Sequence, residues 1–436
     1  KGSFFIYFMA NLEKGSAKLL NAWAFYDWAN SVYALVISSS IFPLYYGALF
    51  RAKGIDSIAL FGFDIRSESI ISYTTALGFI IIAILSPLLS GIADYMGNKK
   101  FFLKFFCYMG AISCMLLFFF QLENIYFGLI TYMTALIGFW GSLVFYNSYL
   151  PDIAYPEQQD RISAKGYGLG YIGSVVLLLI NLAMVMLVPD EHKLQMMRYS
   201  FLLVGIWWIG FSQYTYYYLP DTKNGNKLQK NIIFNGFKEL RKVWRQIKEL
   251  QSLKRYLGAF FVYSMAVQTV MIIAAYFGEK EVTWGSDANR TTGLILSILL
   301  IQIIAVFGAW ATSKASAAFG NIKVLMFINF LWIIICAYAY FVVTPNDFYI
   351  AAASVGLVMG GIQSLSRSTY SKLIPENTID TTSFFSFYDV AEKIGIVIGM
   401  FLYGYITDIT GKAQNAILFL IVFFVVGFFL LSRVKK

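Results

Sequence analysis

The chain has 436 residues, of which 58% are hydrophobic and 13% charged, where a soluble domain carries about 25% charge. With a mean hydropathy of +0.65 this is a polytopic α-helical membrane protein, and apolar runs of about 20 residues exclude an outer-membrane barrel, whose strands alternate over about ten. The net charge of +10 does not mark a nucleic-acid binder, because the basic residues gather in every second loop, which is a topology signal.

Lys1 to Phe8 precede Met9, which reads as the natural start. The stretch after Met9 is polar, so no cleavable signal peptide is expected and the first span itself directs insertion. Residues 1–21 form a cytoplasmic N-terminus, and six spans follow at about 22–49, 70–93, 101–121, 125–149, 164–188 and 199–219. A basic linker covers 220–256. Six more spans lie at about 257–277, 291–313, 323–343, 348–371, 383–407 and 414–432, and 433–436 is a cytoplasmic tail. Each span is long enough to cross a ~30 Å core at about 1.5 Å per residue. The expected fold is therefore all-α, with 12 transmembrane helices in two six-helix bundles, 22–219 and 257–432.

The first span contains Phe25-Tyr26-Asp27-Trp28-Ala29-Asn30-Ser31. A carboxylate there costs roughly 2.5–3.5 kcal/mol on insertion scales, so its default reading is functional. Trp28, Asn30 and Ser31 offer it polar company. Asp27 is placed about six residues into the span, roughly 9 Å along the helix. After the second span comes Ser90-Gly91-Ile92-Ala93-Asp94-Tyr95-Met96-Gly97-Asn98-Lys99-Lys100. Here Asp94 can cap or pair with a neighbouring helix end, Gly97 permits a tight turn, and Lys99 and Lys100 suit anionic headgroups. Span four ends in Asn147, then Leu150-Pro151-Asp152. Gly166, Gly168, Gly170 and Gly173 of span five favour close helix packing. Cys107, Cys114 and Cys336 lie in apolar segments and read as free thiols packed as small hydrophobes.

In the linker, Phe237, Leu240, Trp244, Ile247 and Leu250 recur at helical spacing, and Lys238, Arg241, Lys242, Arg245 and Lys248 fill the other face. This reads as an amphipathic helix on the inner leaflet, tethering two bundles. Span seven carries Gln268. Gln363 and Arg367 are one turn apart on span ten, where Arg367 can hold a substrate carboxylate, counter Asp389, or anchor at the interface. Span eleven carries Asp389, Glu392 and Lys393, with Glu392 and Lys393 a local ion pair. Asp389 also lies about six residues into its span, at a depth similar to that of Asp27. Both acids read as proton-coupling or gate sites, with helix-end acids as the rival. Tyr26, Tyr33, Tyr146 and Tyr370 are further pocket candidates. The single histidine, His192, has no second ligand for a metal, and no phosphate-binding loop is present, so neither an enzyme nor an ATP-driven pump is expected.

Of the 34 lysines and arginines, 25 fall on the side of both termini and the loops after even-numbered spans, eight fall opposite, and Lys393 lies within a span. That excess puts both termini in the cytoplasm. Leu150-Pro151-Asp152 before Ile172-Gly173, and Ile374-Pro375-Glu376 before Ile394-Gly395, repeat at an offset of about 220 residues, as in parallel six-span halves.

The Asp94 loop is similar to the cytoplasmic signature of major-facilitator transporters, with Ser90 and Tyr95 departing from it. The corresponding loop of the second half, Gly308 to Lys323, has Ser313 and Lys314 where an acid is expected, which makes any gate latch asymmetric. These motifs, with Phe145 to Ala154, Gly166 to Gly173, Gly360 to Ser368 and Phe384 to Asp389, together resemble the autophagy-related vacuolar amino-acid effluxer family and its bacterial "unknown major facilitator" branch. Glu392 departs from the small residue expected there. The resemblance implies a major-facilitator fold whose spans one, four, seven and ten line the cavity. It also implies export of an amino acid or related small polar solute by alternating access, with protons as a candidate coupling ion. A monomer without cofactor, in a bacterial cytoplasmic membrane, follows from the same likeness. A channel, or a polytopic subunit that binds a partner, is the competing class.

Overall fold

The computed structural model describes residues 12–60, 62–221, 232–376 and 378–434. Met9 lies outside them. The first helix, α1 (Ala17–Val32), runs on through a π-helical turn at Tyr33–Ser38, breaks at Ser39 and Ser40, and resumes as α2 (Ile41–Lys53). Three consecutive serines just ahead of Pro43 explain the break, since hydroxyls compete for backbone partners and Pro43 lacks an N–H. Ser39 Oγ does this directly, donating to the Ala34 carbonyl at 2.9 Å. A short antiparallel hairpin, β1 (Ser57–Leu60) and β2 (Phe63–Arg66), follows where only a loop is expected.

The remaining first-half helices are α3 (Ser67–Met96), α4 (Lys99–Leu116), α5 (Ile125–Asn147), the short α6 (Leu150–Ile153), α7 (Pro156–Met186) and α8 (Asp190–Tyr218). The linker helix α9 is Ile232–Glu249. The second half comprises α10 (Gln251–Glu281), α11 (Asp287–Phe319), α12 (Asn321–Ala339), α13 (Pro345–Leu373), α14 (Thr381–Thr410) and α15 (Ala413–Ser432).

Among the described residues, eleven helical segments are long and apolar enough to cross a membrane. The expected span at 199–219 falls on α8, which is not one of them. Asp190, Glu191 and Lys193 open this helix, and Trp207, Trp208, Tyr214, Tyr216, Tyr217 and Tyr218 populate it. Such residues suit the membrane–water boundary and lower a hydropathy average.

Each half buries its own core. Trp23, Trp208, Phe106 and Phe145 belong to the first, and Trp332, Phe424 and Tyr256 to the second. The cores interlock, because Tyr171 of α7 joins the second and Ile396 of α14 joins the first. Across the divide α7 packs on α11 and α13, and α3 packs on α14. Close approach there needs small residues. A Cβ at Gly170 would sit 2.4 Å from Ser31 Oγ, and one at Gly173 would sit 2.8 Å from the Trp28 carbonyl, so these positions of α7 seat α1.

The linker helix does not lie free on a surface. It docks on α3, where a Cβ at Gly91 would come within 2.3 Å of the Gly236 carbonyl. Val243 and Ile247 are buried, whereas Phe237 and Trp244 of the expected apolar face are exposed. The apolar stripe is thus divided, one edge turned to protein and the other left outward among the basic side chains.

Candidate functional site

The charged residues collect at the interface of the halves, in layers running inward from the end where α3 turns into α4. In the outer layer Asp94 accepts the backbone N–H groups of Thr382 at 3.2 Å and Ser383 at 2.6 Å. These are free donors at the start of α14, where a negative charge is favoured. Gly97 follows at φ 64, closing α3. Lys99 pairs with Asp152, donates to the Ser148 carbonyl and to Thr381 Oγ1, both at 3.1 Å, and stacks over the Tyr149 ring. Lys100 donates to the Leu219 carbonyl at 2.7 Å and faces Asp221. Both lysines are buried, so they serve protein contacts rather than headgroups.

A second clasp at this end was not expected from the sequence. Asp160, in the second turn of α7, accepts from Lys372 Nζ at 2.6 Å, Asn321 Nδ2 at 2.8 Å and Ser316 Oγ at 3.1 Å. It joins the first half to three helices of the second, and Ser316 and Asn321 lie within the Gly308 to Lys323 segment where an acid was expected. Its only sequence signal is an acid among the polar residues that open span five. Lys242 of α9 adds a third tie, reaching Asp380 at 2.7 Å and Glu239 at 3.1 Å. Burial disfavours its charge, but these two carboxylates outweigh burial and raise its pKa above the ordinary lysine value.

Deeper in, Arg367 of α13 reaches across into the first half. Its Nη2 donates to Asp27 Oδ2 at 3.1 Å and to the Ser163 carbonyl at 3.0 Å, Nε donates to Ser163 Oγ at 2.9 Å, and Nη1 donates to Asn147 Oδ1 at 3.3 Å. The guanidinium lies over the rings of Tyr167 at 4.2 Å and Trp23 at 4.8 Å. Tyr146 donates its hydroxyl to Asp27 Oδ2 at 2.9 Å. Asp27 and Arg367 are 5% and 2% exposed, so Arg367 is no interfacial anchor. Its carboxylate partner is Asp27, not Asp389. The company of Asp27 comes from other helices rather than from its neighbours in sequence. Trp28 turns toward Trp207, and Asn30 accepts from Ser31 at 3.3 Å. Asp27 also lies deeper than expected, because α1 starts at Ala17 and places it about 15 Å along the helix. Gly166 makes room for it, since a Cβ there would sit 2.3 Å from Asp27 Oδ2.

The third layer belongs to α14. Lys393 pairs with Asp389 and, at 3.2 Å, with Glu392, and its Nζ lies 3.7 Å from the centre of the Trp140 ring of α5. Ser86 of α3 donates to Asp389 Oδ2 at 3.3 Å. Gln268 Nε2 donates to Glu392 Oε1 at 2.6 Å. Glu392 and Gln268 open onto a small pocket with Tyr167, Tyr263, Tyr388 and Gln363, and Gln363 accepts from Tyr171 at 2.7 Å. The pocket draws on α7, α10, α13 and α14, which are spans five, seven, ten and eleven, so spans seven and ten line it as expected whereas spans one and four do not. Asp27, Asn147 and Arg367 do not line it. Nor do Tyr26, Tyr33, Tyr146 and Tyr370: Tyr370 donates to the Phe384 carbonyl, and Tyr26 and Tyr33 are buried in the core of the first half.

The family described as "Vacuole effluxer Atg22 like" matches residues 15–436. The MFS-type transporter YxiO of Bacillus subtilis is 32% identical, with 98% of this chain and 96% of that protein aligned. Autophagy-related protein 22 of Coccidioides immitis is 24% identical over 93% of this chain and 84% of its own length. In fold the chain is similar to the major-facilitator transporter FucP in its outward conformation, at a TM-score of 0.70 and 13% identity, covering 96% of this chain and 98% of that one. It is also similar to the human organic anion transporter MFSD10, at a TM-score of 0.68 and 12% identity, covering 95% and 98%. The chain belongs to the Atg22-like effluxer family and is a multi-pass transporter of the major facilitator superfamily, not an enzyme.

Proposed function

We propose that the chain moves an amino acid or related small polar solute out of the cytoplasm by alternating access. In this reading twelve spans place both termini in the cytoplasm of a bacterial cell. The layered ion pairs then form a closed cytoplasmic gate, and the pocket behind it receives the solute. The observation that carries the reading is the buried Arg367–Asp27 bridge, because it joins the two halves that must separate for the solute to enter from the cytoplasm. Asp27 and Asp389 are the candidate proton carriers: Asp27 pairs across the halves with Arg367, and Asp389, paired with Lys393 on its own helix, loses its Ser86 contact with the first half when the halves move. The chain works as a monomer, as the single intramolecular interface suffices for the rocking motion.

Counterflow in proteoliposomes with a panel of labelled amino acids, with and without an imposed pH gradient, tests this. Saturable exchange of one or a few, accelerated by the gradient, is the expected result. Absence of exchange across the panel, with the protein verified as folded, overturns the amino-acid reading. A flux that rises linearly with concentration favours a channel.

A further inference from the structure

Within the two inner layers the charges do not balance. With every group ionised, Asp27 and Arg367 cancel, but Lys393 stands between two carboxylates, Asp389 and Glu392. One negative charge is left over. Lys393 is drawn toward Asp389 and the Trp140 ring, so Glu392 is the less neutralised of the two acids, and it is the one that opens onto the pocket. Its Oε1 is presented there by Gln268. A carboxylate that shares its only cation with a second acid is incompletely neutralised, which is costly in a low-dielectric interior, and a bound cation offsets that cost.

The walls suit such a cation. Tyr167, Phe260, Tyr263 and Tyr388 supply four aromatic rings around the pocket. Ring faces attract ammonium groups, and the attraction grows when water is excluded. None of the lining residues is a lysine or arginine. The nearest guanidinium, Arg367, is engaged by Asp27, Ser163 and Asn147, and the Tyr167 ring stands against its face. Neither Arg367 nor Lys393 is therefore free to hold a substrate carboxylate.

We propose that the pocket selects a positively charged amino group, with Glu392 as its counter-ion, so that the preferred solute is a small organic cation or a cationic amino acid rather than an anionic one. This rests on reading the pocket as the solute site. In this closed arrangement the pocket has room for little more than one water-sized group, so the solute is admitted as the halves part, and the ammonium then replaces its water shell with Glu392, Gln268 and the surrounding rings.

The test is calorimetric titration of the full chain in lipid nanodiscs with tetramethylammonium, lysine, leucine and glutamate. Lysine and tetramethylammonium should each bind at least ten-fold tighter than leucine, with glutamate weakest. Glu392→Gln should remove that preference, and Glu392→Asp should keep its order. Equal or tighter binding of leucine or glutamate, or no binding of any member, overturns the proposal. The wild-type order decides the matter even if Glu392→Gln fails to fold. Counterflow with the same four compounds separates this inference from the transport reading. Cation-selective binding without exchange keeps the cation site and removes transport, whereas exchange of leucine or glutamate without cation preference does the reverse.

Discussion

Asp27 is conspicuous in sequence because a lone acid in an apolar run violates the solvation of the membrane core. Its partner was not readable, since Arg367 lies 340 residues away and one sequence carries no record of which distant positions meet. Asp160 escaped notice for the opposite reason: in the polar run Glu157 to Lys165 it costs nothing visible, and only the fold reveals that it faces Lys372. The Asp27–Arg367 pair has a measurable signature. Removing one member of a buried pair leaves the other charge uncompensated, at about 3–5 kcal/mol, whereas removing both often costs much less. Arg367→Gln should therefore lower the thermal midpoint in detergent markedly, and adding Asp27→Asn to it should restore part of the loss. Two purely additive losses would show that the charges do not depend on one another. Asp27→Asn alone keeps an oxygen acceptor for Tyr146 and Arg367, so the protein should still fold. If Asp27 carries the proton, gradient-driven uptake is abolished in that variant, and undiminished uptake removes it from the coupling role.

At the scale of elements, eleven of the twelve expected spans were legible among the described residues, because apolar runs of that length have few alternatives. The interruption of the first span was signalled by Ser38-Ser39-Ser40 and Pro43, yet it was hidden by the unbroken hydropathy around them. The orientation of α9 was misread for a related reason. Periodicity identifies an apolar stripe, but not which edge of it meets protein, and here Gly236, too small to register as apolar, marks the docked side. In α7 the glycines do separate tasks that substitution can distinguish. Gly166→Ala forces a Cβ toward the Asp27 carboxylate and should cost about 1–3 kcal/mol, as overpacking does. Gly210 of α8 has no atom within 4 Å of the same added group. There an alanine should be neutral, or stabilise by up to about 1 kcal/mol through helix propensity. Thermal midpoints of the two variants check this, and equal effects would mean that the contact at Gly166 relaxes freely.

For the whole molecule, the question is what holds the halves together at the end that carries α9. Asp94 ties α3 to the start of α14, and Asp160 ties α7 to α11, α12 and α13. The two clasps lie on different helices of the first half and grip different helices of the second, so either alone resists separation. Closure by two independent ties predicts that their free energies add, so the effects of removing them on the rate of opening multiply. A reporter is available on α3: Ser90 lies one helical turn from both Ser86 and Asp94, each of which contacts α14, and it is wholly buried. The native thiols Cys107, Cys114 and Cys336 are buried too, which keeps the background low. With Ser90→Cys in place, a membrane-impermeant maleimide should label the parent slowly. Asp94→Asn or Asp160→Asn should each raise the rate about ten-fold or more, because losing hydrogen bonds to a charged group costs about 1.5–3 kcal/mol and every 1.4 kcal/mol lost is a factor of ten. The double variant should label at least ten-fold faster than either single one. Reagent confined to the side bearing the termini should suffice, since the opposite end carries neither clasp. Unchanged labelling in the double variant would mean that the apolar packing of α3 on α14 and of α7 on α11 holds the gate, with the acids serving only to satisfy the helix ends they touch.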